Sequence, residues 1–264
     1  MYNLKLNSDQ QAQAEVIEND LKSFFKAPTM LAEQAHDRVS PHIYKFMSTI
    51  KLVASILLMG QGRWRIIKNR TLNSKSDKGK HFVTIGLGIF IGDDELTLTV
   101  VNSHDGLCSI QFYLGINVHL CGNGCVFGTF LIPKLRILHK GLTYQKIDET
   151  LSMILTYIEK VEQTVNKLKS VELTAEQENE FLVEALRIRK VELSHDFTTV
   201  NKPRRVEDSN KTAWSTLQRV QENLTKGFTA INGGKVKTVQ ALRSPSSDLS
   251  MNVELFDAML KIVA

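Results

Sequence analysis

Cysteine is scarce in this 264-residue chain: the three present, Cys108, Cys121 and Cys125, are an odd number and too few for a disulfide framework, so reduced thiols are expected. Long apolar runs are absent too. The longest, Leu52 to Met59, falls far short of the ~20 residues a bilayer span requires. The first ten residues are polar, without the charged-then-apolar pattern of a secretory signal. These absences point to a cytosolic protein. Also missing are internal repeats, low-complexity segments and a glycine-rich phosphate loop ending in Lys-Ser/Thr; Gly86, Gly88 and Gly92 sit inside a strand pattern, which argues against nucleotide hydrolysis. What is present is ordinary for a folded protein: 42% apolar and 23% charged residues, enough to bury a core.

The charge is segregated. Of a net +5, residues 63–80 alone carry +6, because Arg63, Arg65, Lys68, Arg70, Lys75, Lys78 and Lys80 are opposed only by Asp77. A second basic run comprises Lys134, Arg136, Lys140 and Lys146, and a third lies at Lys226, Lys235, Lys237 and Arg243. The acids gather between Asp148 and Glu184. Such a distribution is either a footprint for a polyanion or a solvated basic face. Trp64 within Gly62-Arg63-Trp64-Arg65 adds an aromatic ring to the cations, the mixture that follows a phosphate backbone while stacking a base, although the ring would serve equally well in a core.

Hydrophobic period divides the chain. Residues 10–26 and 42–58 have helical spacing. From residue 64 the period becomes two: Val83, Ile85, Leu87, Ile89 and Ile91 alternate with smaller residues, as do Leu96, Leu98 and Val100. From Ser109 to Leu120 even positions are apolar and odd ones polar, with Tyr113 on the polar face, which predicts a half-buried strand. Cys125 to Leu138 reads as a further extended segment. Short turns between these runs require antiparallel pairing.

Ile147, Leu151, Ile154, Ile158, Val161, Val165 and Leu168 then hold a four-three spacing over about three heptads. This seam either covers the sheet or meets its own copy in an oligomer, and its short length favours the former. Thr174 with Gln177 forms the pattern of a capping box opening a second helix, giving a helical hairpin. Residues 194–209 read as a linker, followed by a helix at about 210–226, a short strand or basic loop at 235–242, and a terminal helix at 252–263. The expected fold is α+β: an antiparallel meander of four to five strands packed by a long helical hairpin, with N- and C-terminal helices. The segments are 1–60, helical; 61–200, sheet plus hairpin; and 201–264, helical and packed on the same domain.

Two turn motifs invite chemistry. His119, Cys121 and Cys125 are candidate metal ligands, but three do not close a zinc site. His104 and Cys108 lie beyond a strand that would span roughly 35 to 40 Å, so the expectation is no metal and no cofactor. His104 and Asp105 are the candidate acid and base. Neighbours in one turn cannot line up as a Ser-His-Asp triad, and such residues more often cap a turn, so a non-enzymatic protein is favoured.

The motifs Val101-Asn102-Ser103-His104-Asp105-Gly106, Cys121-Gly122-Asn123-Gly124, Leu138-His139-Lys140, Trp214 with Gln218-Arg219-Val220-Gln221-Glu222-Asn223-Leu224, and Ala241-Leu242-Arg243-Ser244 together resemble a phage/plasmid-like family, domain of unknown function nine-three-two. The likeness runs from about Ile66 to the C-terminus, with Gly227-Phe228 departing from the family's usual Gly-Gly. It implies a protein of a mobile element and no established reaction. The functional expectation is a non-enzymatic, oligomeric protein binding single-stranded DNA in recombination or replication, with a basic groove built from residues 63–80 and 134–140. The alternative is a protein-binding module, such as an inhibitor of a host defence system, using the heptad face or an exposed strand face.

Overall fold

The computed structural model describes residues 12–13, 16–17, 49–71, 80–103, 108–117, 124–133, 135–139, 143–192, 199–204, 206–232 and 235–264. In chain order the elements are α1 (Thr49–Met59), β1 (Arg65–Thr71), β2 (Lys80–Ile91), β3 (Asp94–Ser103), β4 (Ile110–Asn117), β5 (Gly124–Val126), β6 (Leu135–Ile137), α2 (Tyr144–Leu155), α3 (Ile158–Ser170), α4 (Ala175–Arg189), α5 (Ala213–Lys226), β7 (Phe228–Asn232), β8 (Lys235–Val239) and α6 (Pro245–Ile262). The fold is α+β, as the alternation of periods predicts. It divides into two compact units, one of Met1–Asn117 with Lys134–Thr156 and one of Val118–Pro133 with Tyr157–Ala264.

In the first unit β1 to β4 form an antiparallel meander, and β6 pairs antiparallel with β4. Its apolar face is set by sequence alternation. Val83 and Ile85 of β2 pair with Val100 and Leu98 of β3, which pair onward with Phe112 and Leu114 of β4; all six are buried. Each such side chain contributes about 1.5–3 kcal/mol when fully buried. Helix α1 is tied to this unit by the Asn102 side-chain amide, which donates to Thr49 Oγ1 at 3.0 Å. The register of β2 shifts between Gly86 and Phe90, where Gly88 has φ of 62°, a conformation that favours glycine.

The second unit is organised around α5. From Ala213 to Leu224 only Ser215 escapes burial, so the helix is enclosed on every side. Ala213, Leu217, Val220 and Leu224 form its apolar stripe. α3, α4 and α6 pack against it, and α4 also packs on α6. Thr174 and Gln177 complete the expected capping box at the start of α4. Gly227 ends α5 at φ of 84°, and a Cβ there would lie 2.5 Å from the Val239 carbonyl oxygen.

Three expectations are refined. The heptad run is two helices, interrupted at Thr156-Tyr157. Ile147, Leu151 and Ile154 are buried in α2, which packs on β6, and Val161, Val165 and Leu168 are buried in α3, which packs on α5. The segment from Cys125 to Leu138 is two short strands separated by a turn. There Asp257 of α6 accepts hydrogen bonds from Thr129 N, Thr129 Oγ1 and Phe130 N at 2.9, 2.8 and 3.0 Å. The terminal helix begins earlier than residue 252, with Ser244 as N-cap and Pro245 in its first turn. Residues 235–239 are a strand, paired with β7. The helix expected over 42–58 is described from Thr49 onward, while most of the one over 10–26 and residues 194–198 and 205 of the linker lie outside the described residues.

Candidate nucleic-acid interface

Residues paired across an antiparallel ladder share a face of the sheet, and register places several of the basic candidates on the polar face. One row reads Lys68, Thr84, Thr99, Tyr113 from edge strand to β4, a second Arg65, Gly86, Thr97, Gly115, and a third Phe82, Val101, Gln111, Arg136. Lys80, opposite Ser103, lies on the same face. At ~4.8 Å between strands, Lys68 and Tyr113 stand roughly 14 Å apart. Small residues fill the middle: Thr97 and Thr99 are buried, and the hydroxyls of Thr84 and Thr99 are hydrogen-bonded at 3.0 Å. Arg65, Lys68 and Arg136 are exposed at the margins, and Lys80 is half-buried.

The cations are not equivalent. Arg65 donates from both terminal nitrogens to Glu95, at 2.6 and 2.7 Å. The carboxylate is buried, while the arginine side chain remains 58% exposed. Gly88 N also donates to Glu95 at 3.0 Å, and a Cβ at Gly86 would lie 2.6 Å from Glu95 Oε1, so the carboxylate rests directly over that glycine. Arg65 is thus held in place with its charge locally balanced. Glu95 went unnoticed in the sequence, though its alternation with Thr97 and Thr99 marks it as facing the same way.

At the opposite margin Tyr113 Oη donates to Gln111 Oε1 at 2.5 Å, and Gln111 Nε2 approaches Cys108 Sγ at 3.2 Å. Burial pushes the Tyr113 phenol above its ordinary value of 10.0, the Cys108 thiolate adds to the rise, and Arg136 opposes it. Ser103 Oγ donates to the Cys108 carbonyl and accepts from the Cys108 amide, both at 3.0 Å, closing the turn between them. His139 Nε2 lies 3.0 Å from the same carbonyl. Ser103 and the Leu-His-Lys motif therefore meet at the backbone of Cys108.

Arg63 is exposed and Trp64 half-buried just before β1, and Arg70 pairs in register with Phe82. Lys75, Lys78, Lys134, Lys140, His104, Asp105, His119 and Cys121 lie outside the described residues. Cys125 is buried in the second unit, and among the described residues no three His, Cys, Asp or Glu side chains are grouped to hold a metal ion. None of the helices is long and apolar enough to cross a membrane, among the described residues.

A second polar cluster, on α5, was not anticipated as a site. Its Gln-Arg-Val-Gln-Glu-Asn run divides by helical angle. Arg219 donates to Asn201 Oδ1 at 3.0 Å, Glu178 Oε1 at 3.1 Å, Thr216 Oγ1 at 3.0 Å and the Asn210 carbonyl, and Asn223 donates to the carbonyls of Val200 and Lys202. That side is saturated. On the other side Gln221 Nε2 donates to the Gly124 carbonyl at 2.8 Å and Glu222 pairs with Lys226 at 2.5 Å. Gln218, 2% exposed, has no hydrogen-bond partner for either of its polar side-chain atoms among the described residues.

The chain is an α+β protein in which Arg65, Lys68, Lys80 and Arg136 share one sheet face with the largely buried Thr97, Thr99 and Ser103. The chain belongs to the family described as domain of unknown function DUF932, which matches residues 35–256. It is similar to the UPF0380 proteins YfjQ and YafZ of Escherichia coli (strain K12), each 28% identical over 240 residues, covering 88% of this chain and 87% of the relative. No solved structure matches it.

Proposed function

We propose that this is a non-enzymatic nucleic-acid-binding protein of a phage or plasmid that holds single-stranded DNA against the polar face of the first unit's sheet, as an oligomer acting in recombination or replication. The observation that carries the reading is the convergence of Lys68, Lys80, Arg65 and Arg136 on one face with Tyr113, around a centre of Thr and Gly. Cations at the margins suit phosphates, and an aromatic ring on the same face suits a stacked base.

Affinity would come mainly from phosphates, so the logarithm of the binding constant falls with the logarithm of salt by about 0.7 per phosphate neutralised. Anisotropy of a labelled single-stranded oligonucleotide, titrated with the full chain at increasing salt, tests this. Binding at low salt that is lost steeply as salt rises, and weakened when Lys68 and Arg136 are replaced by glutamate, supports it. Absence of binding at low salt overturns it and favours the protein-binding alternative. For that alternative the exposed strand face is the more open surface, because Ile147, Leu151, Ile154, Val161, Val165 and Leu168 of the heptad run are buried while Ile158 is half-buried.

A further inference from the structure

Beside Trp64 lies an open cavity of about 590 Å³ in the first unit. Val16, Ile17, Leu57, Leu58 and the indole of Trp64 form its apolar walls. Gln13 and Gln61 are the polar side chains at its border, each able to offer a donor and an acceptor. Mostly apolar walls with a few orienting polar groups, at this volume, are the features of a site for a small planar ligand.

The aromatic wall is fixed by the backbone. Trp64 packs so closely on Gly60 that a Cβ there would lie 2.3 Å from the indole Cγ. The turn preceding it is closed by the Arg63 amide donating to the Gly60 carbonyl at 3.0 Å, and Gln61 adopts φ of 49° within it. The ring therefore needs no ordering when a ligand arrives, which lowers the cost of binding.

Charge supplies the identity of the ligand. Arg63 immediately precedes Trp64 and is exposed, and Lys68 is exposed four residues beyond it on the edge strand of the sheet. An apolar slot with an aromatic wall, bordered by amides and with an exposed arginine beside it, matches a nucleobase attached to its phosphate. We infer that this cavity takes one unstacked base of the bound single strand, Trp64 stacking on its face, Gln13 and Gln61 meeting its edge, and Arg63 receiving the adjoining phosphate. The inference rests on the nucleic-acid reading and gives it a second, non-electrostatic contact.

Two oligonucleotides of equal length and charge separate the inference from the reading beneath it: oligo(dT), and the same backbone carrying abasic sites throughout. The full chain is titrated with each while tryptophan emission and affinity are recorded. Expected is about tenfold tighter binding of oligo(dT), with quenching that disappears in Trp64→Phe but persists in Trp214→Phe. Leu58→Phe, which fills the slot, should bring oligo(dT) binding down to the abasic level without changing abasic binding. Equal affinity for the two strands without quenching removes the base site and leaves phosphate binding standing. Failure of both strands to bind at low salt removes the underlying reading and the base site with it.

Discussion

Gln221 donates its side-chain amide to the carbonyl of Gly124 across 2.8 Å, joining α5 to β5 over 97 positions of sequence. Two of the sequence motifs, Cys121-Gly122-Asn123-Gly124 and the Gln218–Leu224 run, are therefore joined by one contact. Gly124 needs no glycine conformation for this, because its φ is not positive and a Cβ would meet nothing within 4 Å. The glutamine is the selective partner, and it lies on the less well paired side of a helix that is otherwise saturated with hydrogen bonds.

That imbalance makes Gln218 informative. A buried amide without partners costs about 1–3 kcal/mol relative to an apolar group of the same shape, and Gln218 is 2% exposed with neither polar atom partnered among the described residues. Gln218→Leu should raise the unfolding free energy by about 1 kcal/mol or more in a urea titration, with an unchanged denaturant slope. A fall of similar size would show that the amide is hydrogen-bonded in solution, by water or by a bound group.

Glu95 sets how much of Arg65 is available. In Glu95→Gln the amide oxygen still accepts from Gly88 N while the charge opposing Arg65 is gone. Because the arginine is more than half exposed, the folded state should lose only about 1 kcal/mol. Single-strand affinity at low salt should rise several-fold, and the salt dependence should steepen by about 0.7, one further phosphate contact. An unchanged slope in the anisotropy titration would place Arg65 away from the strand.

Gly128 and Gly124 separate a required glycine from a tolerant one. A Cβ at Gly128 would fall 1.9 Å from Asp257 Oδ1, inside the carboxylate that accepts from Thr129 and Phe130. Gly128→Ala should destabilise the second unit by about 2–3 kcal/mol by displacing that carboxylate, whereas Gly124→Ala should stay within about 0.5 kcal/mol of the parent. Thermal unfolding of the two variants side by side makes the comparison. Equal melting temperatures would mean that the 128–130 turn is not held by Asp257.

Local patterns were legible and distant partners were not. The alternation from Ile110 to Asn117 reads as a strand because only one of its faces is apolar, and Thr174 with Gln177 announces its capping box within four residues. Six of the seven heptad positions are buried and Ile158 is half-buried, but the spacing of Ile154, Ile158 and Val161 continues unbroken through Thr156, where the helix does not. Hydrophobic register records burial, and the two halves bury their seams in different units. The turn after Val126 depends on Asp257, and the pairing of Arg65 depends on Glu95. Both partners are remote in sequence, so the segment looked uniformly extended and the arginine looked available. The basic run gave the composition of the candidate site, and strand register then selected which of its members share a face.

Tyr113 offers a readout of that face by pH. Its phenol is raised above 10.0 chiefly by burial, helped by the Cys108 thiolate and opposed by Arg136. With the folded value above the unfolded one, the neutral phenol's contribution is fully present below about pH 10 and is lost as pH rises through the higher folded value. Stability should therefore decline above pH 10, and Tyr113→Phe should flatten that part of the decline while leaving neutral-pH stability lower by about 1 kcal/mol for the lost hydrogen bond to Gln111. Ultraviolet titration should show a phenol ionisation above pH 10 that is absent in Tyr113→Phe. If single-stranded DNA covers this face, a saturating oligonucleotide should delay that ionisation further, because phosphates and a stacked base both disfavour a phenolate. An ionisation unmoved by saturating oligonucleotide would place the strand elsewhere on the protein.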